Sequence, residues 1–246
     1  SVFGFHQLMN SIVILDEIQS YNNQLWGEIS YFLKEFAYLM NIKIVIMSAT
    51  LPDFDKLTNQ IYPAVRLMEN REKYFQNPCF RNRVKISYEL LDCENIEDAL
   101  TEHIRKSSAK NKKILVEFIK KGSAYKFFQR LLEDEEISCD VGYMSGDDSV
   151  IERRRILEKI KNSQKGIILV ATQVIEAGVD IDMDIGYKNI SKLDSEEQFM
   201  GRINRSCKRE GEVYFFKLDD GKEIYKGDVR IQKPFTLENQ QVRELL

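Results

Sequence analysis

The chain has 246 residues, 43% of them hydrophobic and 30% charged, enough to bury one large core or two small ones. A formal net charge of -3 excludes a global positive field that would draw it onto nucleic acid, so any such binding must be local. With no apolar run of about 18 residues and no basic-then-apolar leader, the sequence argues against a membrane span or a secretion signal and for a cytoplasmic protein.

In chain order, the aliphatic run Ile12–Leu15 reads as the first strand, followed by a helical stripe of Leu25, Ile29, Phe32, Leu33, Phe36 and Leu39. A second strand is expected over 42–47. The polar, aperiodic stretch 69–83, which holds Pro78, places a linker at 71–83 between a unit over 1–70 and a unit over 84–220. The second unit continues with a strand over 114–118, a helix carrying Ala124, Phe127, Phe128, Leu131 and Leu132, and a helix carrying Ile156, Leu157 and Ile160. Strands at Ile167–Ala171 and 213–216 follow, and 221–246 reads as the start of a further linker or accessory segment. Nearly pure aliphatic strands suit a parallel sheet covered on both faces, so the expected class is α/β with right-handed crossovers. Cys79, Cys93, Cys139 and Cys207 are too dispersed for a usual zinc spacing and read as reduced thiols.

The informative polar residues all follow strands, where open parallel sheets bind ligands. The first strand runs into Asp16-Glu17-Ile18-Gln19 and the second into Ser48-Ala49-Thr50-Leu51-Pro52. Singly, these are a helix-capping acid pair and a turn. The strand Ile167–Ala171 delivers Thr172-Gln173-Val174-Ile175-Glu176-Ala177-Gly178-Val179-Asp180-Ile181-Asp182. Further on, Gln198, Arg202 and Arg205 fall in QFMGRINR, four and then three residues apart, and share one face if the segment is a continuous helix. An exposed basic helix face is the bland alternative. Four such segments in this order speak jointly for chemistry.

ILDEIQ, SATLP, ATQVIEAGVDID and QFMGRINR resemble motifs II, III, V and VI of superfamily-two helicases. The Gln19 variant of the DExH box, the QVIEAGVDID string and the QxxGRxNR form most resemble the helicase portion of the CRISPR-associated helicase-nuclease of type I systems. The resemblance implies RecA-like lobes with parallel sheets. It also implies that Asp16 holds Mg²⁺, usually through water, and that Glu17 orients or deprotonates the water attacking the γ-phosphate of ATP. Gln19 would report nucleotide state, and Ser48 and Thr50 would couple that state to nucleic-acid binding. Arg202 and Arg205 resemble arginine fingers, Gln198 stands where many relatives have histidine, and Gly178 and Asp180 resemble nucleotide-lining residues.

On the nucleic-acid side, Lys120, Lys121, Gly122 and Ser123 lie between a strand and a helix start, where free amides can grip phosphate. Ser145 and Gly146 hold the same position after another strand, as do Thr172 and Gln173. Arg153, Arg154 and Arg155 read as mostly solvent-facing, and neither His6 nor His103 has an assignable partner.

No GxxxxGK[ST] occurs, and residues 1–11 leave no room for a P-loop strand and helix before Ile12, so the first lobe reads as incomplete and the second as complete. With Ser1 at one end and a helix-like stretch at Leu246, both ends read as cut. ATP and Mg²⁺ then need the missing loop for full binding, and the chain alone is expected to be inactive. The resemblance further implies partners: single-stranded nucleic acid, with DNA favoured over RNA by the resemblance and not by the residues, a guide-RNA surveillance complex, and a nuclease domain or subunit. A non-catalytic docking module and a different superfamily-two RNA or DNA helicase are the competing readings.

Overall fold

Strand-and-helix alternation builds two units, Ser1–Arg71 and Glu72–Leu246, in a computed structural model that describes residues 2–18, 21, 23–48, 65–176 and 178–246. Of these, the side chains of Val2, Phe3, Phe5, Asn23, Arg71, Glu72 and Cys79 are not described.

In the smaller unit β1 (Ile12–Leu15) and β2 (Lys43–Ile46) pair in parallel, Ile12 opposite Lys43 and Leu15 opposite Ile46. A parallel pair needs a long crossover, and α1 (Trp26–Leu39) supplies it. The apolar stripe expected on this helix forms, but Phe32 is 52% and Leu39 71% exposed, and Ile12 and Ile14 on β1 are more than half exposed. Among the described residues of this unit one long helix accompanies two strands, too little to cover both faces of the sheet.

In the larger unit, β3 (Val84–Ser87) leads into α2 (Ile96–Ser108), β4 (Lys113–Glu117) into α3 (Lys121–Leu132), and β5 (Asp140–Met144) into α4 (Val150–Asn162). After β6 (Ile167–Ala171) come β7 (Ile185–Asn189), α5 (Leu193–Met200) and β8 (Gly211–Phe216). All six strands are parallel, in the order β3-β8-β7-β4-β6-β5. Ile114 and Val116 of β4 face a core shared with α2 and α3, whereas Leu115 faces the opposite core, where Ile160 of α4 and Phe199 of α5 pack. The connection leaving β4 therefore runs over one face and the connection leaving β7 over the other. Adjacent strands whose exits diverge open a crevice at their carboxyl ends, the usual ligand position in such sheets.

Local chemistry agrees with this layout. A reciprocal capping box starts α4, the Ser149 hydroxyl accepting from the Glu152 amide and the Glu152 carboxylate from the Ser149 amide. The aliphatic-run criterion passes over β3 and β7, because Gly186, Lys188 and Asn189 interrupt the apolar pattern of β7 although all its residues are buried. Two boundaries also differ from expectation. The stretch 71–83 contains short helices at Arg71–Phe75 and Pro78–Arg81, and from Glu72 onward it belongs to the larger unit. The segment 221–246 is part of that unit too: Leu237 and Val242 are buried in its core, and the Tyr88 hydroxyl donates to the Arg243 carbonyl.

Gly186 is what lets α5 approach β7, since a Cβ there would lie 2.6 Å from the Phe199 ring and 2.9 Å from Ile203. Gly186→Ala is expected to destabilise the larger unit by about 1–3 kcal/mol through overpacking. The urea midpoint reads this directly, and an unchanged midpoint would mean that α5 can retreat without penalty.

Candidate functional site

At the end of β1, Asp16 and Glu17 are both exposed, and the Glu17 amide donates to Asp16 Oδ1 at 2.9 Å. Glu17 has a φ of 55°, a left-handed backbone that is uncommon and costly for a residue with a side chain. The turn thereby presents two carboxylates side by side where the chain leaves the strand. Ser48 is half-buried beyond β2. Gln19 and Thr50 lie outside the described residues.

In the larger unit the turns after β4, β6 and β5 are neighbours, since Glu117 and Met144 both flank Ala171 in the register. The Thr172 amide donates to the Met144 carbonyl at 3.1 Å, and Gln173 Nε2 donates to the Ile119 carbonyl at 3.1 Å and meets the Tyr225 hydroxyl at 3.2 Å. Lys120–Ser123, Ser145–Gly146 and Thr172–Gln173 are thus gathered on one edge.

That edge is more filled than the sequence suggested. Asp219 accepts from the Lys120 amide at 2.8 Å and from the Ser123 hydroxyl at 2.5 Å, so a carboxylate already occupies the start of α3. Lys120 pairs with Glu223 at 2.9 Å, which raises its pKa, and Lys121 pairs with Asp147. Ser145 and Thr172 are buried, while Gly146 and Gly122 are exposed. Arg153, read as solvent-facing, instead donates to the carbonyls of Ser145 and Gly146, at 3.2 and 3.0 Å.

Motif VI departs from its expected geometry. Gln198 lies on α5, but the helix ends at Met200, so Arg202 and Arg205 do not continue one helix face with it. The chain is drawn off the helix axis because the Asn204 amide donates to the Met183 carbonyl at 2.7 Å, and Asn204 adopts a φ of 45°. The Asn204 side chain then donates to the carbonyls of Arg83 and Arg209, fixing the turn. Arg202 is half-buried, its guanidinium donating to the carbonyls of Ile175 and Glu176. Arg205 is exposed and meets Asp180 at 3.1 Å, while its amide donates to Asp182. Gly178, at φ 69°, has nothing within 4 Å of where a Cβ would stand; its glycine is required by the backbone rather than by a neighbour.

Sequence reasoning missed the polar cluster beneath these loops. Lys188 is fully buried and contacts Glu117, Glu176 at 3.3 Å and Glu196 at 3.5 Å. A lysine within the buried β7 and a glutamate closing the otherwise apolar ILVE strand were the available signals. Burial raises Glu117 well above its ordinary pKa, and disfavours the Lys188 charge, but the three carboxylates outweigh it and hold Lys188 well above its usual value. Burial also pushes Glu196 up to about 7, against the pull of Lys188 and the Ser191 amide.

Among the described residues, no group of three or more His, Cys, Asp and Glu side chains could hold a metal ion. No helix among them is long and apolar enough to cross a membrane.

A six-stranded parallel sheet with these motif-bearing loops at its carboxyl edge defines the RecA-like second lobe of a superfamily-two helicase. A family model described as CRISPR-associated nuclease/helicase Cas3, C-terminal, matches residues 57–208, and the chain belongs to that family. Curated relatives include the CRISPR-associated nuclease/helicase Cas3 of Methanothermobacter thermautotrophicus, 26% identical over 221 residues. The putative counterpart in Methanocaldococcus jannaschii is 28% identical over 227 residues. The alignments cover 79% and 88% of this chain but only 24% and 30% of those relatives' lengths. Among solved structures, T. fusca Cas3 with AMPPNP superimposes with a TM-score of 0.69 at 15% identity, over 94% of this chain and 33% of that one. The helicase MrfA bound to DNA and AMPPNP gives 0.58 at 16% identity, over 90% and 32%.

Glu196, raised from 4.5 to about 7, keeps a proton in the folded chain that the unfolded chain releases. Its stabilising contribution is complete below about pH 4.5 and is lost as pH rises through about 7. Stability is therefore expected to fall across this window by on the order of 3 kcal/mol. Glu196→Gln should flatten the dependence of the urea midpoint on pH; an unaltered slope would assign it to other groups.

Proposed function

We propose that the chain is the helicase portion of a CRISPR-associated helicase-nuclease, whose complete form translocates on invading single-stranded DNA at the expense of ATP. In this reading it acts in the cytoplasm in antiviral defence, recruited by a guide-RNA surveillance complex and working with a nuclease domain or subunit. The observation that carries the reading is the sorting of residues within the larger unit. Lys120–Ser123, Ser145–Gly146 and Thr172–Gln173 share one edge, while Asp180 meets Arg205 and the carbonyls of residues 175 and 176 meet Arg202. The family match supports it, as does the likeness in fold to Cas3 solved with AMPPNP and with ATP and to MrfA bound to DNA and AMPPNP.

Asp16 fits a Mg²⁺–ATP complex: an exposed hard-oxygen donor at a strand end suits a cation that takes one or two carboxylates and completes its shell with water and phosphate. When bound, the metal supplies positive charge at the phosphate oxygens. Glu17, turned out by its left-handed backbone, orients or deprotonates the attacking water. Arg205, whose guanidinium meets the 91% exposed Asp180, can exchange that carboxylate for phosphate. Arg202 acts with less freedom, because its guanidinium also holds the loop at 175–176. Gln198, Gly178 and Asp180 contact the nucleotide, Gln19, Ser48 and Thr50 relay its state, and the edge turns grip the DNA backbone without reading bases.

In the complete protein, Glu17→Gln should leave ATP binding nearly intact and lower DNA-stimulated hydrolysis by roughly 10²-fold or more. An unchanged turnover number would remove Glu17 from the mechanism.

The two arginines should separate. Arg205→Ala should lower turnover by about 10³-fold with little change in ATP affinity or thermal midpoint. Arg202→Ala should lower both turnover and stability, the latter by about 1–3 kcal/mol for the carbonyls left without their donor. If Arg205→Ala changed only the Michaelis constant for ATP, Arg205 would be a ground-state binder.

A further inference from the structure

We propose that Lys188 is a positioning residue that clamps the loop at 173–176 to the turn at 200–205, holding both in working register. The clamp stands in the β4/β7 crevice, where Glu117 and Lys188 are register partners on adjacent strands. A sheet of this kind normally offers that crevice to a ligand; here an ion cluster closes it.

Lys188 joins three separate stretches of chain. Glu117 ends β4, Glu176 follows the loop after β6, and Glu196 sits on α5. Ser195, beside Glu196, bonds Glu176 directly, and Phe199 offers its ring 5.6 Å from the ammonium. The loop so held presents the carbonyls of residues 175 and 176 to Arg202, and its Gln173 is pinned to the Ile119 carbonyl and the Tyr225 hydroxyl. One ammonium thus ties an element of the proposed DNA edge to α5, the helix that leads into the turn bearing both arginines.

The cluster also counts protons. Three carboxyls around one ammonium would leave two negative charges in a buried site if all were ionised. Among the described residues Glu117 Oε2 and Glu196 Oε2 both lack a hydrogen-bond partner, and burial raises both carboxyls. The titratable groups facing Lys188 are Glu117 from β4, Glu176 from the loop, Glu196 from α5 and Tyr225 from the segment after β8. Burial raises both Glu117 and Glu196, so the extra proton belongs to the cluster's carboxyls, and its loss as pH rises loosens the loop.

The coupling of DNA edge to arginines rests on the helicase reading, but the clamp can be tested without it, by hydrogen exchange on the 246-residue chain. In Lys188→Met at about pH 8, amides at 173–176 and 200–205 are expected to exchange roughly tenfold or more faster, with those of β4 and β6 unchanged. In the unaltered chain the same two segments should exchange faster, beyond the intrinsic rate, as pH rises through neutrality, and Glu117→Gln should reduce that rise. Should Lys188→Met fail to fold, the Glu117→Gln profile decides alone. Unchanged exchange in both segments, loosening spread evenly through β4 and β6, or superimposable pH profiles for the unaltered chain and Glu117→Gln would each overturn the clamp. A confirmed clamp in a complete protein that shows no DNA-stimulated ATP hydrolysis would overturn the helicase reading instead.

Discussion

An ammonium buried among carboxylates constrains everything packed around it, because no member can leave without stranding charge in a medium that cannot solvate it. Removing one partner of a buried ion pair typically costs about 3–5 kcal/mol, although the intact pair can be no more stable than apolar packing. What the Lys188 cluster contributes is therefore register rather than net stability. β4, the loop after β6 and α5 must arrive together for the charges to close. Gly186 serves the same end from the same strand, since only a missing side chain lets the Phe199 ring sit against β7 beside Lys188.

This dependence explains where the sequence was readable. β1, β4 and β6 announce themselves as aliphatic runs, and the α3 and α4 stripes follow from helical period. β7 is equally buried but gives three of its five positions to Gly186, Lys188 and Asn189, so hydrophobicity alone could not find it. The motif residues were legible as types and spacings. Their geometry was not, because it rests on distant partners: Asp219 caps the start of α3 from 96 residues away, and Asn204 ends the α5 path by reaching back to Met183. The stretch 221–246 reads as the start of a linker or accessory segment because it follows the last aliphatic run, yet Leu237 and Val242 belong to the core of the larger unit.

Acids and arginines are held by different means. In the smaller unit, Asp16 and Glu17 are set by a short turn whose left-handed residue fixes where the carboxylates point. Strain stored at such a position persists when surrounding structure over-determines it, and its occurrence at the proposed base suits pre-organisation. In the larger unit Arg202 is fixed by main-chain carbonyls of a clamped loop, whereas Arg205 rests against an exposed carboxylate. The first arrangement favours rigidity and the second exchange, so two arginines three residues apart are suited to unequal tasks.

Electrostatics on the proposed DNA edge follow the same logic of exchange. The chain is acidic overall, and Lys120 and Lys121 already neutralise Glu223 and Asp147. A phosphate approaching this edge gains less from each lysine than it would from an unpaired one, because an existing ion pair must open and its carboxylate return to water. Both pairs are largely solvated, so the opening cost is small. The consequence is an edge that grips weakly and releases readily. On the proposed helicase reading, a motor that must let go of the backbone at every step is served better by weak exchangeable contacts than by a permanently positive groove, and a net charge of -3 does not oppose that reading.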